Sequence, residues 1–388
     1  MPRVLVNRSQ LNEALDFVKN VVPDKPIISA DGNISIVFDG SSTLQVIATD
    51  GIQGARALVD VSTDGTVESF SLGCDPKRLI KIVAKDTSDI VTLEKNDPHL
   101  VVGSAMDDPD KFATLVLANM RRASTMMAWS PSDPTTDVVL DTGFLVEAMT
   151  FLDDFLPDGK DEGAKHAVVV LSNKLAHATN GVDLRGICAS PHLGFTSDVS
   201  LRKKYLTNAI RAIKFVNSDS LRFLSNVRQI CITSPDGRRA LVMPTTRKKP
   251  PVVPLEYLKD MGDYFQMDIR EAVRGIDRIS SSNYNTASTL TGVDLFLEGG
   301  PEDSKLKMTL DADKASQTFP VRRSGGPDME RCLSVKTLHK MLKMFQKSKE
   351  SRIYMGESDT RYIRFFDKRE VNGIAGAFVA VCAYLRKV

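Results

Sequence analysis

The residues with the clearest chemical potential are cationic and recur at helical spacing. Lys336, Lys340, Lys343 and Lys347 fall at i, i+4, i+7 and i+11, one stripe of an amphipathic helix. Leu338, Met341, Leu342 and Phe345 take the other side. A second segment carries Lys77, Arg78, Lys81 and Lys85. A third carries Arg202, Lys203, Lys204, Arg211 and Lys214 with no acidic residue between them. Arg270, Arg274 and Arg278 follow one another at i+4 steps. Like charges one turn apart destabilise a helix by roughly 0.2–0.5 kcal/mol per pair. One Lys-rich face is ordinary solvated helix design. The same sign on several comparable helices points instead to phosphate, whose condensed counterions Lys and Arg displace.

Other chemistries lack their residues. There is no Gly-x-x-x-x-Gly-Lys-Ser/Thr and no strand-linked Gly-x-Gly-x-x-Gly, so no nucleotide cradle is expected. The histidines are His99, His166, His177, His192 and His339, and none has a His, Cys or Glu at metal-ligand spacing. No metal and no cofactor is therefore expected. His177 precedes a turn and reads as structural; His339, inside a basic segment, reads as solvent-facing or a weak phosphate contact. Asp107-Asp108 and Asp153-Asp154 are sequence neighbours of the kind that seldom converge on a metal. Without a nucleophile and base at a defensible spacing, the expectation is a binding protein and not an enzyme.

The elements that position the cations form an internal repeat. Leu11-Asn12-Glu13-Ala14-Leu15 returns as Leu145-Val146-Glu147-Ala148-Met149 and as Ile269-Arg270-Glu271-Ala272-Val273. Leu11, Leu15 and Val18 mark one face of a first helix, with Ser9 as its expected N-cap. Strand-like stretches follow, Ile34–Phe38, Leu44–Ala48 and Ala55–Val59, divided by Asp39-Gly40 and by Ala48-Thr49-Asp50-Gly51. That second turn recurs as Ala178-Thr179-Asn180-Gly181 and, decayed, as Leu310-Asp311-Ala312-Asp313. A cationic second helix comes next in each unit, centred on Leu79, Leu206 and Leu338, and more strands follow it. The reading is an α+β chain of three domains, 1–125, 135–247 and 255–388, each with two helices on a mainly antiparallel sheet. Asn119–Thr136 and Thr245–Pro254, rich in Pro, Ser, Thr and basic residues, read as linkers.

Composition agrees with a binding role. A net charge of +2 excludes a uniformly basic nucleic-acid binder but not one with its cations gathered on one face. No apolar run is long enough to span a membrane, and the start lacks the pattern of a secretory signal, so the expected location is the cytoplasm. Cys74, Cys188, Cys231, Cys332 and Cys382 are odd in number and far apart, which suits reduced core cysteines.

Three such repeats, with cationic second helices and no catalytic constellation, resemble the bacterial replicative sliding clamp, the beta subunit of the replicative DNA polymerase. The local carriers are Val21-Val22-Pro23-Asp24-Lys25-Pro26, Ala48-Thr49-Asp50 and Ala178-Thr179-Asn180-Gly181-Val182-Asp183-Leu184-Arg185. The resemblance implies a head-to-tail homodimer, a closed ring of six similar domains with helices lining the hole. It implies double-stranded DNA held without sequence reading, and no membrane partner. It places DNA contacts on Lys25 and on the cations of the helices above. It implies that a DNA polymerase and a clamp loader dock through short peptides. The pocket for these would use Thr179 and Leu184, Pro251 and Val253 from the linker, and Val381, Cys382 and Tyr384 from the last strand. An apolar dimer interface would join Phe112 and Leu115 to Ile276 and Ile279. The C-terminal residues and the segment Arg247–Pro254 depart from the family's usual Met-Pro-Met-Arg-Leu and Phe-Pro-Asp-Tyr. That divergence would suit a phage or mobile-element clamp. The alternative is a non-ring, three-repeat nucleic-acid-binding or protein-interaction scaffold.

Overall fold

A computed structural model describes residues 2–23, 25–63, 65, 67–104, 111–119, 129–157, 167–181, 184–216, 218–246, 255–258, 263–281, 292–300, 303–310, 315–346, 351–355 and 362–383. Its helices are α1 (Arg8–Val18), α2 (Pro76–Lys85), α3 (Thr142–Asp153), α4 (Lys203–Ile213), α5 (Ile269–Ser281) and α6 (Val335–Phe345). Antiparallel strands make up most of the remainder, so the class is α+β. The chain divides into two compact units, residues 1–146 with 195–246 and residues 147–194 with 247–388. Residues 135–247 thus contribute to both.

The first unit is built on a twelve-stranded sheet. Its main path runs Phe112–Val116, His99–Gly103, Ile90–Asn96, Arg3–Asn7, Gly54–Ser62, Arg239–Pro244, Gln229–Thr233, Ser220–Ser225, Thr136–Asp141. α1 packs on α2 and on the sheet through Leu11, Ala14, Leu15, Phe17 and Val18, all buried. The cap of α1 is Asn7, whose Oδ1 accepts the Gln10 N–H at 3.1 Å, and not Ser9. Strand Arg3–Asn7 runs straight into the helix, which therefore starts before Ser9. α2 opens as its sequence dictates: Asp75 accepts from Lys77 and Arg78 N–H, and Pro76 takes the first turn, where no N–H is needed. Trp129 packs against Leu224, Cys231, Ala240 and Val242, and its carbonyl accepts the Cys231 thiol at 2.8 Å.

The second unit holds two sheets. One runs Val168–Thr179, Leu184–Arg202, Ile374–Ala383, Tyr362–Val371, Arg352–Met355, Phe265–Gln266, Arg322–Arg323. The other runs Ala315–Pro320, Lys305–Leu310, Gly292–Glu298, Met329–Ser334. α5 packs on α6 and on Ala315–Pro320, so closely that a Cβ at Gly275 would lie 2.2 Å from the Phe319 ring. Ser334 caps α6. His339, on α6, is half-buried with Nε2 2.9 Å from Asp277 Oδ1 of α5. It belongs to the helix contact and not to the solvated face expected of it. Burial, then Lys343, depresses its pKa, while Asp277 opposes the shift.

The repeated turn is fastened in the same way in both units, over one more residue in the second. Thr49 Oγ1 donates to Gln53 O at 2.9 Å and accepts from Gly51 N–H at 2.9 Å. Thr179 Oγ1 donates to Leu184 O at 3.1 Å and accepts from Gly181 N–H at 3.0 Å. Asp50 Oδ1 takes the Gln53 N–H, as Asn180 Oδ1 takes the Leu184 N–H. Gly51 and Gly181 have φ of 83° and 78°, the left-handed region that a Cβ disfavours.

Candidate nucleic-acid interface

The expected phosphate-binding cations lie where helix geometry should put them. On α2, Lys77, Arg78 and Lys81 are exposed and Leu79 and Val83 are buried. Around α4, Arg202, Lys204, Arg211 and Lys214 are exposed and Lys203 is half-buried, while Leu206, Ala209 and Ile213 face the core. On α5, Arg270 and Arg274 are exposed opposite Ile269, Ala272 and Val273. On α6, Lys336 and Lys343 are exposed and Lys340 half-buried; Lys347 lies outside the described residues. Some of these cations are partly compensated. Lys204 Nζ is 3.6 Å from Asp50, and Arg78 Nε is 3.7 Å from its own cap Asp75. The Arg78 pair is exposed on both sides and weak, and the Lys204 side chain is itself exposed although Asp50 is nearly buried, so both cations remain open to an anion of higher charge.

In the first unit α4 packs on α1 and on the short 3-10 turn Lys19–Val21, and the chain then leads into the loop with Lys25. Lys25 is exposed, followed by a fully exposed Ile27 and a half-exposed Ile28. The structure thus gathers Lys25 and the α2 and α4 cations in one unit, and the α5 and α6 cations in the other.

The expected peptide-pocket residues are brought together in the second unit, but buried. Thr179, Leu184, Val381 and Cys382 are each under 5% exposed, and Leu184 stands opposite Cys382 in the strand register. Pro251, Val253 and Tyr384 lie outside the described residues. The sequence reading missed the layer beside them. Val381 joins Ile187, Tyr257, Tyr354, Phe366 and Val379 in one apolar cluster, with Tyr264 and Tyr362 at its margin. Arg364 stacks 4.1 Å from the Tyr354 ring centroid and donates to Tyr257 O at 3.0 Å; Arg352 lies 4.7 Å from that of Tyr264. Arg352 with Tyr354 and Tyr362 with Arg364, each pair two residues apart and so on one strand face, were the available signal.

The apolar residues expected at an interface divide differently. Ile276 and Ile279, at 1% and 5% exposure, belong to the core of the second unit, because they continue the buried α5 face of Ile269, Ala272 and Val273. Leu115 is buried, Phe112 half-buried and Val116 exposed. Their strand ends the twelve-stranded sheet, and Ala315–Pro320 ends the four-stranded one.

Comparison with known proteins separates sequence from backbone. No family model matches the sequence, and no curated protein matches it. Solved structures do match. The DNA polymerase III beta subunit of Thermotoga maritima gives a TM-score of 0.77 at 13% identity over 100% of both chains. A sliding clamp from Pseudomonas aeruginosa bound to griselimycin gives 0.77 at 15% identity, also over 100% of both. The Helicobacter pylori beta clamp bound to a DNA ligase peptide gives 0.71 at 12% identity, over 99% of this chain and 100% of that one. Agreement across whole chains with so few shared residues is a statement about the backbone: this chain has the α+β fold of the DNA polymerase III beta sliding clamps.

Proposed function

We propose that the chain is a DNA sliding clamp. Two copies join head to tail in a ring around duplex DNA and tether a DNA polymerase for processive synthesis in the cytoplasm. Each copy supplies three modules, 1–125, 135–247 and 255–388, and no catalytic step is assigned to it. The observation that carries this reading is the repeated strand junction. In the first unit, Gly54–Ser62 follows the Thr49 turn and pairs antiparallel with Arg239–Pro244, the last of three strands after α4. In the second unit, Leu184–Arg202 follows the Thr179 turn and pairs antiparallel with Ile374–Ala383, the last of three strands after α6. The corresponding strands left over are Ala315–Pro320 and Phe112–Val116, which are the two sheet ends described above. Joining them between copies repeats a junction the chain already makes twice, and it covers both edges.

Topological retention asks little of the helix cations: individually weak, screened contacts hold the duplex in register while allowing it to slide. The surface around Leu184 and Val381, with its tyrosine layer, is the place for short peptides from the polymerase and a clamp loader. Support for such a use is the Helicobacter pylori clamp, which is described as bound to a DNA ligase peptide.

The test is retention without affinity. The chain should sediment as a dimer and thread onto linear duplex DNA over its open ends. Blocking those ends afterwards should keep it on the DNA at about 1 M salt, where charge is screened within about 3 Å. With the ends left open it should be lost. Equal loss in both cases would favour a non-ring scaffold.

A further inference from the structure

Two junctions inside the chain are fastened by an ion pair to the same helix position. Glu13, Glu147 and Glu271 hold the third place of the repeated pentapeptide in α1, α3 and α5. Arg239 donates to Glu13 Oε2 at 2.7 Å in the first unit. Arg369 donates to Glu147 Oε1 at 2.7 Å in the second. Each arginine sits near the turn between the last two strands of its three-strand run. Glu271 is exposed, and among the described residues its carboxylate has no partner.

Strand register identifies the cation that would serve Glu271. Asn96 stands opposite His99 across a two-residue turn, as Asn226 stands opposite Gln229. Counting on from those turns, Gly103 faces Phe112 as Thr233 faces Ala240. The Ser104 N–H donates to Lys111 O at 3.2 Å, and the Ser234 N–H donates to Arg239 O at 2.9 Å. The Leu117 N–H reaches Pro98 O at 2.9 Å, and the Thr245 N–H reaches Arg228 O at 3.0 Å. Lys111 therefore occupies, at the head of the sheet-end strand Phe112–Val116, the place that Arg239 occupies at the head of its own strand. It is exposed.

Resting on the ring reading above, we infer that Lys111 of one copy pairs with Glu271 of a second copy at each junction between chains. The pair repeats between molecules the fastening that Arg239–Glu13 makes within one. It also gives the junction a direction. Like ends brought together would set Lys111 against Lys111 or Glu271 against Glu271, and like charges face to face are rejected.

The test is a charge exchange followed by sedimentation, with thermal melting to confirm folding. Lys111→Glu and Glu271→Lys should each raise the dimer dissociation constant by about tenfold or more, because each ring has two such junctions and reversal turns attraction into repulsion. The double variant should return to within about threefold of the unaltered chain. Mixing the two single variants should also restore dimers, since one junction then carries Lys111 with Glu271 and the other carries the exchanged pair. Single variants that dimerise like the unaltered chain, or folded variants that no mixing rescues, overturn the pair and leave the ring reading standing. An unaltered chain that stays monomeric overturns both.

Discussion

Arg369 brings a positive charge into an aromatic setting. Its guanidinium lies 4.6 Å from the Phe378 ring centroid and 5.5 Å from those of Phe151 and Phe345, and it also donates to Asp367 and Glu147. Asp367 is 2% exposed. Arg369→Met would leave that carboxylate buried without its cation, a loss of about 3–5 kcal/mol, well above the roughly 0.2–1 kcal/mol of an exposed pair. Urea unfolding of the full chain should show it, with Arg369→Lys intermediate because the ammonium keeps the charge but not the planar fork. The cysteines give a second expectation at this scale. Burial pushes the Cys74, Cys188 and Cys231 thiols up to about 12. All three therefore stay protonated at pH 8, and a thiol reagent should label the half-buried Cys332 first. Raising the pH to 10 should not speed labelling of the other three, whereas denaturant should expose all five. Rapid native labelling at Cys231 would mean that its packing against Trp129 opens. Reduced core cysteines were legible in the sequence. The Arg369 cluster was not, since its three phenylalanines come from α3, α6 and the last strand, and nothing local links them.

At the scale of elements, the role in DNA binding proposed for the cationic stripe of α6 separates from folding. Lys336, Lys340 and Lys343 lie away from the buried Leu338, Met341, Leu342 and Phe345. Replacing all three by Glu should leave the melting temperature nearly unchanged. It should weaken association with a short duplex and flatten the salt dependence, by up to roughly 0.9 in log–log slope for each phosphate no longer neutralised. Binding and slope identical to the unaltered chain would place this face in bulk solvent. Helical periodicity made this stripe legible, and it also accounts for the burial of Ile276 and Ile279. Both continue the apolar face that begins at Ile269, and a helix has room for only one such face against its core. The interface role that the family resemblance implies for them is not separable by sequence, because apolar residues near a helix end look alike whether a sheet of the same chain or a second copy covers them. The cap at Asn7 is hidden for a related reason: strand and helix abut with no intervening loop, so no turn residue marks the boundary.

The whole molecule was legible through repetition more than through identity. A pentapeptide, a turn and a cationic helix, each recurring along the chain, led to a backbone that solved clamps share at 12–15% identity. Such faint sequence agreement is expected where burial pattern and turn chemistry, not particular side chains, specify the fold. The local hairpin of Ile34–Phe38 with Leu44–Ala48 was legible from its Asp39-Gly40 turn, but long-range strand partners were beyond reach, because a one-residue slip in register moves every side chain to the opposite face and is invisible in a linear text. The two unlike sheet ends, Phe112–Val116 and Ala315–Pro320, carry one further consequence. A surface that joins head to tail has no self-complementary limit. It closes only when each added chain turns through the right angle, and otherwise winds on without end. The edges proposed to close the ring are therefore also the seed of a filament. Substitutions that change the twist where Gly54–Ala57 meets Arg239–Val242 should appear as spirals and aggregates, not as well-behaved monomers.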